Sequence, residues 1–238
     1  MSNPKSGKKN RIKRFIILVG LAVTLFPIVQ VIVIGTVDPP TTGPRMARRI
    51  AGLFKSGEYK PNMFRWVNLG NSSSNFLVCA WKSEDRNYYE HCGFDWKEIK
   101  GAWDESRDTG KPARGASTIT QQCARSLFLW QGRSWIRKGL EAYYTFWMEM
   151  LLSKERILEL YVNVIEFGNG IYGIEAAAQH YYRVPASQLT REQAAMLVAI
   201  MPNPKHWDPT NPNELVLKRQ KIILERSENL LLPIEINK

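Results

Sequence analysis

Ser134-Trp-Ile-Arg-Lys-Gly-Leu-Glu-Ala-Tyr-Tyr-Thr-Phe-Trp-Met-Glu-Met-Leu-Leu152 is the stretch that sets the fold class. Ser134 stands where a helix N-cap accepts a backbone N–H. Ile136, Leu140, Tyr143, Trp147, Met150 and Leu151 recur at helical spacing and predict the buried side of a helix running through Leu152. Arg133, Arg137 and Glu141 are spaced by four and form a charged stripe opposite that side. Arg125 and Lys138 are placed to join it. Two readings of the stripe stay open from spacing alone. One is a surface ion pair worth ~0.3–0.5 kcal/mol. The other is a set of cations that grips phosphate oxygens while a carboxylate positions them.

The neighbouring stretches read the same way. Ser153 caps a helix predicted over Lys154 to Phe167, and Thr190 with Gln193 has capping-box spacing for a helix ending near Pro202. Trp96, Ile99 and Trp103 share a helical face. Phe76–Trp81 suits a short helix or a buried strand. Clean period-two alternation is scarce, so the expected body is mainly α-helical. Asp104–Arg114, polar and broken by Gly110 and Pro112, reads as an exposed loop, either a plain one or a mobile lid. Gly168-Asn-Gly-Ile-Tyr-Gly173 matches G-x-G-x-x-G, but no parallel-sheet pattern surrounds it. The glycines instead predict a tight helix-to-helix turn.

The chain has a net charge of +11, which by itself would suggest nucleic acid. Its distribution argues otherwise. Lys5, Lys8, Lys9, Arg11, Lys13 and Arg14 give residues 1–14 a charge of +6 with no acid, leaving +5 for the rest. This basic tail precedes an apolar run over residues 15–37, about 35 Å long as a helix and enough to cross a hydrocarbon core of ~30 Å. The run exceeds a signal-peptide core and lacks a clear Ala-x-Ala site, which favours an uncleaved anchor with its N-terminus cytoplasmic. Residues 38–75 form a membrane-proximal segment. Within it Met46, Ile50, Leu53 and Phe54, set among Arg45, Arg48, Arg49 and Lys55, predict a helix that lies on an anionic leaflet or packs on the domain. Residues 76–238 form the remaining domain. Cys79, Cys92 and Cys123 have no metal-ligand spacing and read as small apolar residues, with a Cys79–Cys92 disulfide possible in an oxidising compartment.

The chemistry concentrates in Glu84-Asp-Arg-Asn-Tyr-Tyr-Glu-His-Cys-Gly-Phe-Asp95. Adjacent carboxylates cannot both be buried cheaply as charges. One of them, near Trp81 and Phe94, gains a raised pKa suited to a general base near neutrality; the bland alternative is a solvated turn. His91 is placed to hydrogen-bond across the turn. Gly115–Gln122 supplies hydroxyls and amides for sugar hydroxyls or phosphate oxygens, and Ser117 is placed to cap the next helix.

In combination these stretches resemble the peptidoglycan glycosyltransferase family (glycosyltransferase family 51), and specifically its monofunctional, membrane-anchored biosynthetic transglycosylases. The resemblance covers roughly residues 76–209. Its marks are Glu84-Asp85 with His91 and Gly93-Phe94-Asp95, Gly115–Gln122, Arg137-Lys138-x-x-Glu141, Tyr161-Val-Asn163 running into Gly168–Glu175, and Leu189–Pro204. It implies a lysozyme-like α-helical fold and the polymerisation of lipid II into β-1,4-linked glycan, with inversion at the donor anomeric carbon and release of undecaprenyl pyrophosphate. Glu84 would be the base on the acceptor hydroxyl. Glu141 would orient groups, or a divalent ion such as Mg or Mn, beside the pyrophosphate. Arg125, Arg133, Arg137 and Lys138 would bind phosphates, and Thr118 and Gln122 would line the donor site. Asp85, His91 and Ser117 complete the expected substrate-binding set. The implied partners are lipid II, the growing lipid-linked glycan, the cytoplasmic membrane and division or elongation machinery, without nucleic acid. The implied location is the inner membrane of a bacterium, with the catalytic domain periplasmic.

This sequence departs from the family at Arg125 and Ser126, where Lys and Asn are usual, at Cys123, where an aliphatic residue is usual, and at Tyr88 in place of Phe. Guanidinium in place of ammonium alters phosphate geometry. Two rival readings are a lytic transglycosylase or muramidase, which has no need for the cations, and a non-catalytic scaffold, which has no need for Glu84 and Glu141.

Overall fold

The computed structural model describes residues 4–54, 63–111, 115–132, 134–228 and 232. The chain is mainly helical. Helix α1 (Pro4–Thr36) carries the apolar run and is long and apolar enough to cross a membrane between Lys13 and Thr36. Pro39 and Pro40 break it, and α2 (Gly43–Phe54) follows. The body comprises β1 (Met63–Phe64), α3 (Ser74–Glu84), α4 (Trp96–Thr109), α5 (Ile119–Phe128), α6 (Trp135–Leu151), α7 (Lys154–Val164), β2 (Glu166–Gly168), β3 (Ile171–Tyr172), α8 (Ile174–Tyr182), α9 (Arg191–Ile200) and α10 (Glu214–Arg226).

Side-chain caps start most of these helices. Ser73, Asp95, Thr118, Ser134, Ser153, Thr190 and Asn213 each accept the backbone N–H three residues on. Such caps contribute ~1 kcal/mol apiece. Both halves of the Thr190–Gln193 capping box are present. The core lies where α9, lined by Ala194, Ala195, Leu197, Val198, Ala199 and Ile200, is buried between α3 and α10. Helix α5 packs in turn on α6 and α7.

Of the two readings of Phe76–Trp81 the helix holds, within α3. Other expectations are corrected. The segment expected as a loop from Asp104 is the last part of α4, which ends where Gly110 takes φ 65°; residues 112–114 lie outside the described residues. Helix α7 stops at Val164, short of Phe167, because the chain turns into a three-stranded sheet of order β1-β3-β2, with β1 parallel and β2 antiparallel to β3. The glycine run is thus the turn of a hairpin rather than a helix-to-helix turn. Gly173 needs its missing side chain, since at φ 81° a Cβ would meet the Asn163 carbonyl oxygen at 2.8 Å.

The largest correction concerns α6. Ile136 is 75% exposed, and Met150 and Leu151 are also exposed, whereas Arg137 and Glu141 are buried. The apolar side lies toward α1. There the Tyr143 hydroxyl donates to the Thr24 carbonyl (2.8 Å), and the Tyr144 hydroxyl pairs with Gln30 Oε1 (2.6 Å). Arg137 and Glu141 of the charged stripe turn inward to the site. Helix α2 likewise leaves Met46 and Ile50 exposed, while Arg45 is buried over the Phe64 ring. The side chains of Arg48, Leu53 and Phe54, and all of Lys55, lie outside the described residues.

Candidate active site

Glu84 is the last residue of α3, and Asp85 is its C-cap, in a non-helical conformation that turns the chain. The loop that follows is tied down by the second carboxylate. Asp85 Oδ1 lies 2.9 Å from His91 Nε2, and Asp85 Oδ2 accepts the Ile119 N–H at 2.9 Å. His91 Nδ1 accepts the Gly93 N–H at 3.1 Å, so in the neutral ring the proton sits on Nε2 and is donated to Asp85. His91 therefore fixes the turn.

Gly93 sits at φ 83°, where a Cβ would be 2.8 Å from both Glu149 Cγ and Thr145 Cγ2. Its carbonyl accepts the Thr118 hydroxyl at 2.8 Å. That hydroxyl also accepts the Gln121 N–H, with the Gln121 side chain closing the capping box, so Thr118 and not Ser117 caps α5. Thr118 is 2% exposed and its hydroxyl is fully engaged. It borders the cavity beside Glu84 rather than the one beside Arg125.

Beneath the loop runs a strut that sequence reasoning missed. Lys154 Nζ lies 2.9 Å from Glu149 Oε2 and donates to the His91 carbonyl at 2.8 Å, while Thr120 donates to Glu149 Oε1. Glu149 and Lys154 straddle the break between α6 and α7, so no helical spacing signals the pair.

The Gln122 amide donates to Glu84 Oε2 at 3.0 Å. Burial pushes the Glu84 carboxyl above the ordinary glutamate range; the hydrogen bond from Gln122, the Arg219 charge, the Ser83 hydroxyl and the Arg125 charge pull it part of the way back. Arg219 was also unforeseen. Its charge acts on Glu84 from α10, where its Nε donates to the Ala199 carbonyl at 3.1 Å.

Glu84 and Gln122 stand at the seam of two cavities. One, of about 570 Å³, is walled by Glu84, Asn87, Glu98, Ser117 and Arg226. The other, of about 670 Å³, is walled by Gln122, Arg125, Trp130, Arg137, Asn203 and Lys205. The cations are held by Glu141, which is fully buried. Its Oε2 takes Arg137 at 2.9 Å and its Oε1 takes Lys138 at 2.5 Å, and Lys138 also donates to the Ser117 hydroxyl at 3.2 Å. The surface-pair reading of Arg137–Glu141 is thereby corrected. Arg133 lies outside the described residues.

Among the described residues Asp85, His91 and Asp95 offer ligand atoms close enough for a metal ion. Each of these oxygens already accepts a hydrogen bond, Asp85 from His91 and the Ile119 N–H, Asp95 from the Glu98 N–H and the Asn87 amide. The group works as a hydrogen-bonded brace.

Residues 52–228 match the transglycosylase family. The chain belongs to that family. Among transglycosylases, it is 45% identical over 173 residues to the biosynthetic peptidoglycan transglycosylase of Mannheimia succiniciproducens, covering 73% of this chain and 70% of that one. It is 39% identical over 223 residues to the protein of the same name from Haemophilus influenzae strain PittEE, covering 94% and 91%. With that of Xanthomonas oryzae pv. oryzae it shares 37% over 224 residues, covering 94% and 91%. In this transglycosylase Cys79 and Cys123 are buried and Cys92 is exposed, all three free, so of the two readings the Cys79–Cys92 bridge is not formed. Burial pushes the Cys123 thiol far up, which keeps it a small apolar residue.

Proposed function

We propose that this peptidoglycan glycosyltransferase polymerises lipid II, with Glu84 as the base. The acceptor N-acetylglucosamine lies in the cavity beside Glu84, and its 4-hydroxyl gives its proton to that carboxylate. The freed oxygen attacks the anomeric carbon of the lipid-linked donor strand from the face opposite the leaving group. A β-1,4 bond forms, the bond to the phosphate oxygen breaks, and undecaprenyl pyrophosphate departs. The observation that carries this reading is the Glu84–Gln122 hydrogen bond at the seam between a cavity with a base and a cavity with cations.

Arg125, Arg137 and Lys138 receive the charge that develops on the diphosphate. Glu141 serves as the anchor of Arg137 and Lys138, one on each of its oxygens. A divalent ion placed on it would meet the repulsion of both cations, which makes Glu141 a poor metal ligand. The exposed apolar residues of α2 and α6 beside α1 support a body resting on the membrane, with the N-terminus cytoplasmic and the catalytic domain periplasmic, at the inner membrane and within reach of division or elongation proteins. The clustering of Arg125, Arg137 and Lys138 near the site favours transfer over lytic cleavage.

The test is polymerisation of labelled lipid II by wild type and Glu84→Gln, with products sized before and after muramidase. Muramidase-sensitive strands from wild type alone are expected. Cleavage of preformed glycan without polymerisation would replace this reading by the lytic one.

A further inference from the structure

A third cavity, of about 490 Å³, lies past the cation-lined one and shares Pro204, Lys205 and His206 with it as a common wall. Its size falls within the ~300–1,000 Å³ span of ligand cavities. Its far side is formed by Gly168, His180, Tyr181, Trp207 and Asp208. We propose that this cavity binds the saccharide of the donor strand as it leaves the active site. This rests on the transferase reading above and extends it to the product.

The two cavities adjoin along a shared wall. The cation-lined cavity is lined by Pro44, on α2 next to the anchor, and by Pro204 to His206, which also line the third cavity. A lipid diphosphate leaves toward the membrane. The sugars on the other side of the anomeric carbon then have the third cavity open to them past His206.

The lining suits sugar. Pyranose rings present a flat C–H face and a rim of hydroxyls, which match an aromatic face with polar groups around it. Trp207 supplies the half-buried aromatic surface. Tyr181 stands edge-on to His180 with ring centroids 4.7 Å apart, and is held by its hydroxyl donating to the Phe167 carbonyl at 3.1 Å. The approach of Tyr181 requires Gly168, where a Cβ would meet the Tyr181 hydroxyl oxygen. Asp208 adds a fixed acceptor. The hydroxyl and backbone N–H of Thr210 donate to its Oδ1 at 2.7 and 2.8 Å and hold its carboxyl below the usual range. At the boundary, Lys205 Nζ donates to Gln131 Oε1 at 2.6 Å and joins the two walls.

The experiment pairs a binding measurement with a product measurement. A lipid-free, peptide-free octasaccharide of alternating N-acetylglucosamine and N-acetylmuramic acid is titrated into the full chain in detergent by calorimetry. Wild type, Glu84→Gln, Trp207→Ala and Asp208→Ala are compared, and the strands each makes from lipid II are sized. Expected are binding by wild type and Glu84→Gln, binding weakened about tenfold or more in both cavity variants, and shorter strands from the cavity variants with the initial rate of lipid II consumption retained. Trp207 packs partly on the core, so the exposed Asp208 serves if Trp207→Ala unfolds. Octasaccharide affinity and strand length unchanged in Asp208→Ala and in a folded Trp207→Ala would overturn the proposal, as would no binding by wild type. Octasaccharide binding that the cavity variants lose, in a wild type that does not polymerise, would sink the transferase reading and leave the saccharide cavity standing.

Discussion

The Glu84 carboxylate accepts the Gln122 amide at 3.0 Å across the seam of two cavities, so the helix that ends in the proposed base is tied to the helix that carries Arg125. Replacing the carboxylate should separate catalysis from folding. Glu84→Gln is expected to lose about 10²-fold or more in polymerisation rate, the scale of general-base catalysis. A carboxyl whose folded pKa is raised contributes stability below its unfolded pKa and loses it as pH rises through the folded value. At neutral pH the charged form is therefore the costly one, and Glu84→Gln should melt no lower than wild type. Differential scanning calorimetry at pH 7 checks this.

The same shift sets a pH dependence. The base must be deprotonated, so the rate of lipid II consumption should fall on the acid side at a pH above the ordinary glutamate range. Gln122→Ala removes a donor to the carboxylate and should move that limb to still higher pH. A limb that stays in place in Gln122→Ala would show that Glu84 is not the titrating group.

Glu141 behaves in the opposite way. Glu141→Ala leaves the buried Arg137 without its partner, and breaking such a pair costs about 3–5 kcal/mol. For a chain of this size that is a Tm loss of roughly 6–20 °C. A double replacement, Arg137→Met with Glu141→Leu, should recover much of the melting temperature and none of the activity.

Lys154→Met removes the cation that holds both Glu149 and the His91 carbonyl. Faster amide hydrogen exchange is expected over residues 86–95, together with a lower kcat. Gly93→Ala should reach the same end from above, since its φ of 83° and the 2.8 Å approach of Thr145 and Glu149 leave no place for a methyl group. Unchanged exchange in both variants would remove the strut from the account.

Thiol labelling gives an inexpensive check on burial. In the native protein the exposed Cys92 should react fast, and Cys79 and Cys123 only after denaturation. Labelling that stops at Cys123 until unfolding would also dispose of any concern about oxidation at the position where an aliphatic residue is usual.

Local chemistry was readable in the sequence because it is written in short spacings. Thr190 and Gln193 form the capping box that their separation predicts, and His91 reaches Asp85 within one turn of chain. What meets a helix face is not written there. Ile136, Met150 and Leu151 share a face as expected, yet which side of α6 turns inward depends on α1 and α5, far away in sequence. Arg219 and the Glu149–Lys154 pair escaped for the same reason, being assembled by helix packing. Strands of two or three residues are too short to show alternation.

Helix α6 is about 10–12 Å across, side chains included. It holds Trp135, Ile136 and Met150 on one flank and Arg137 with Glu141 on the other. On the proposed membrane such a helix acts as a depth gauge. The bulky apolar flank sets how far the body sinks, and the width of one helix then sets the height of the guanidinium above the acyl chains. A polyprenyl diphosphate sits at that height without being lifted from the leaflet. The enzyme would read its lipid substrate by altitude as much as by contact, and thinning or thickening the bilayer would tune the reaction without altering a single residue of the cleft.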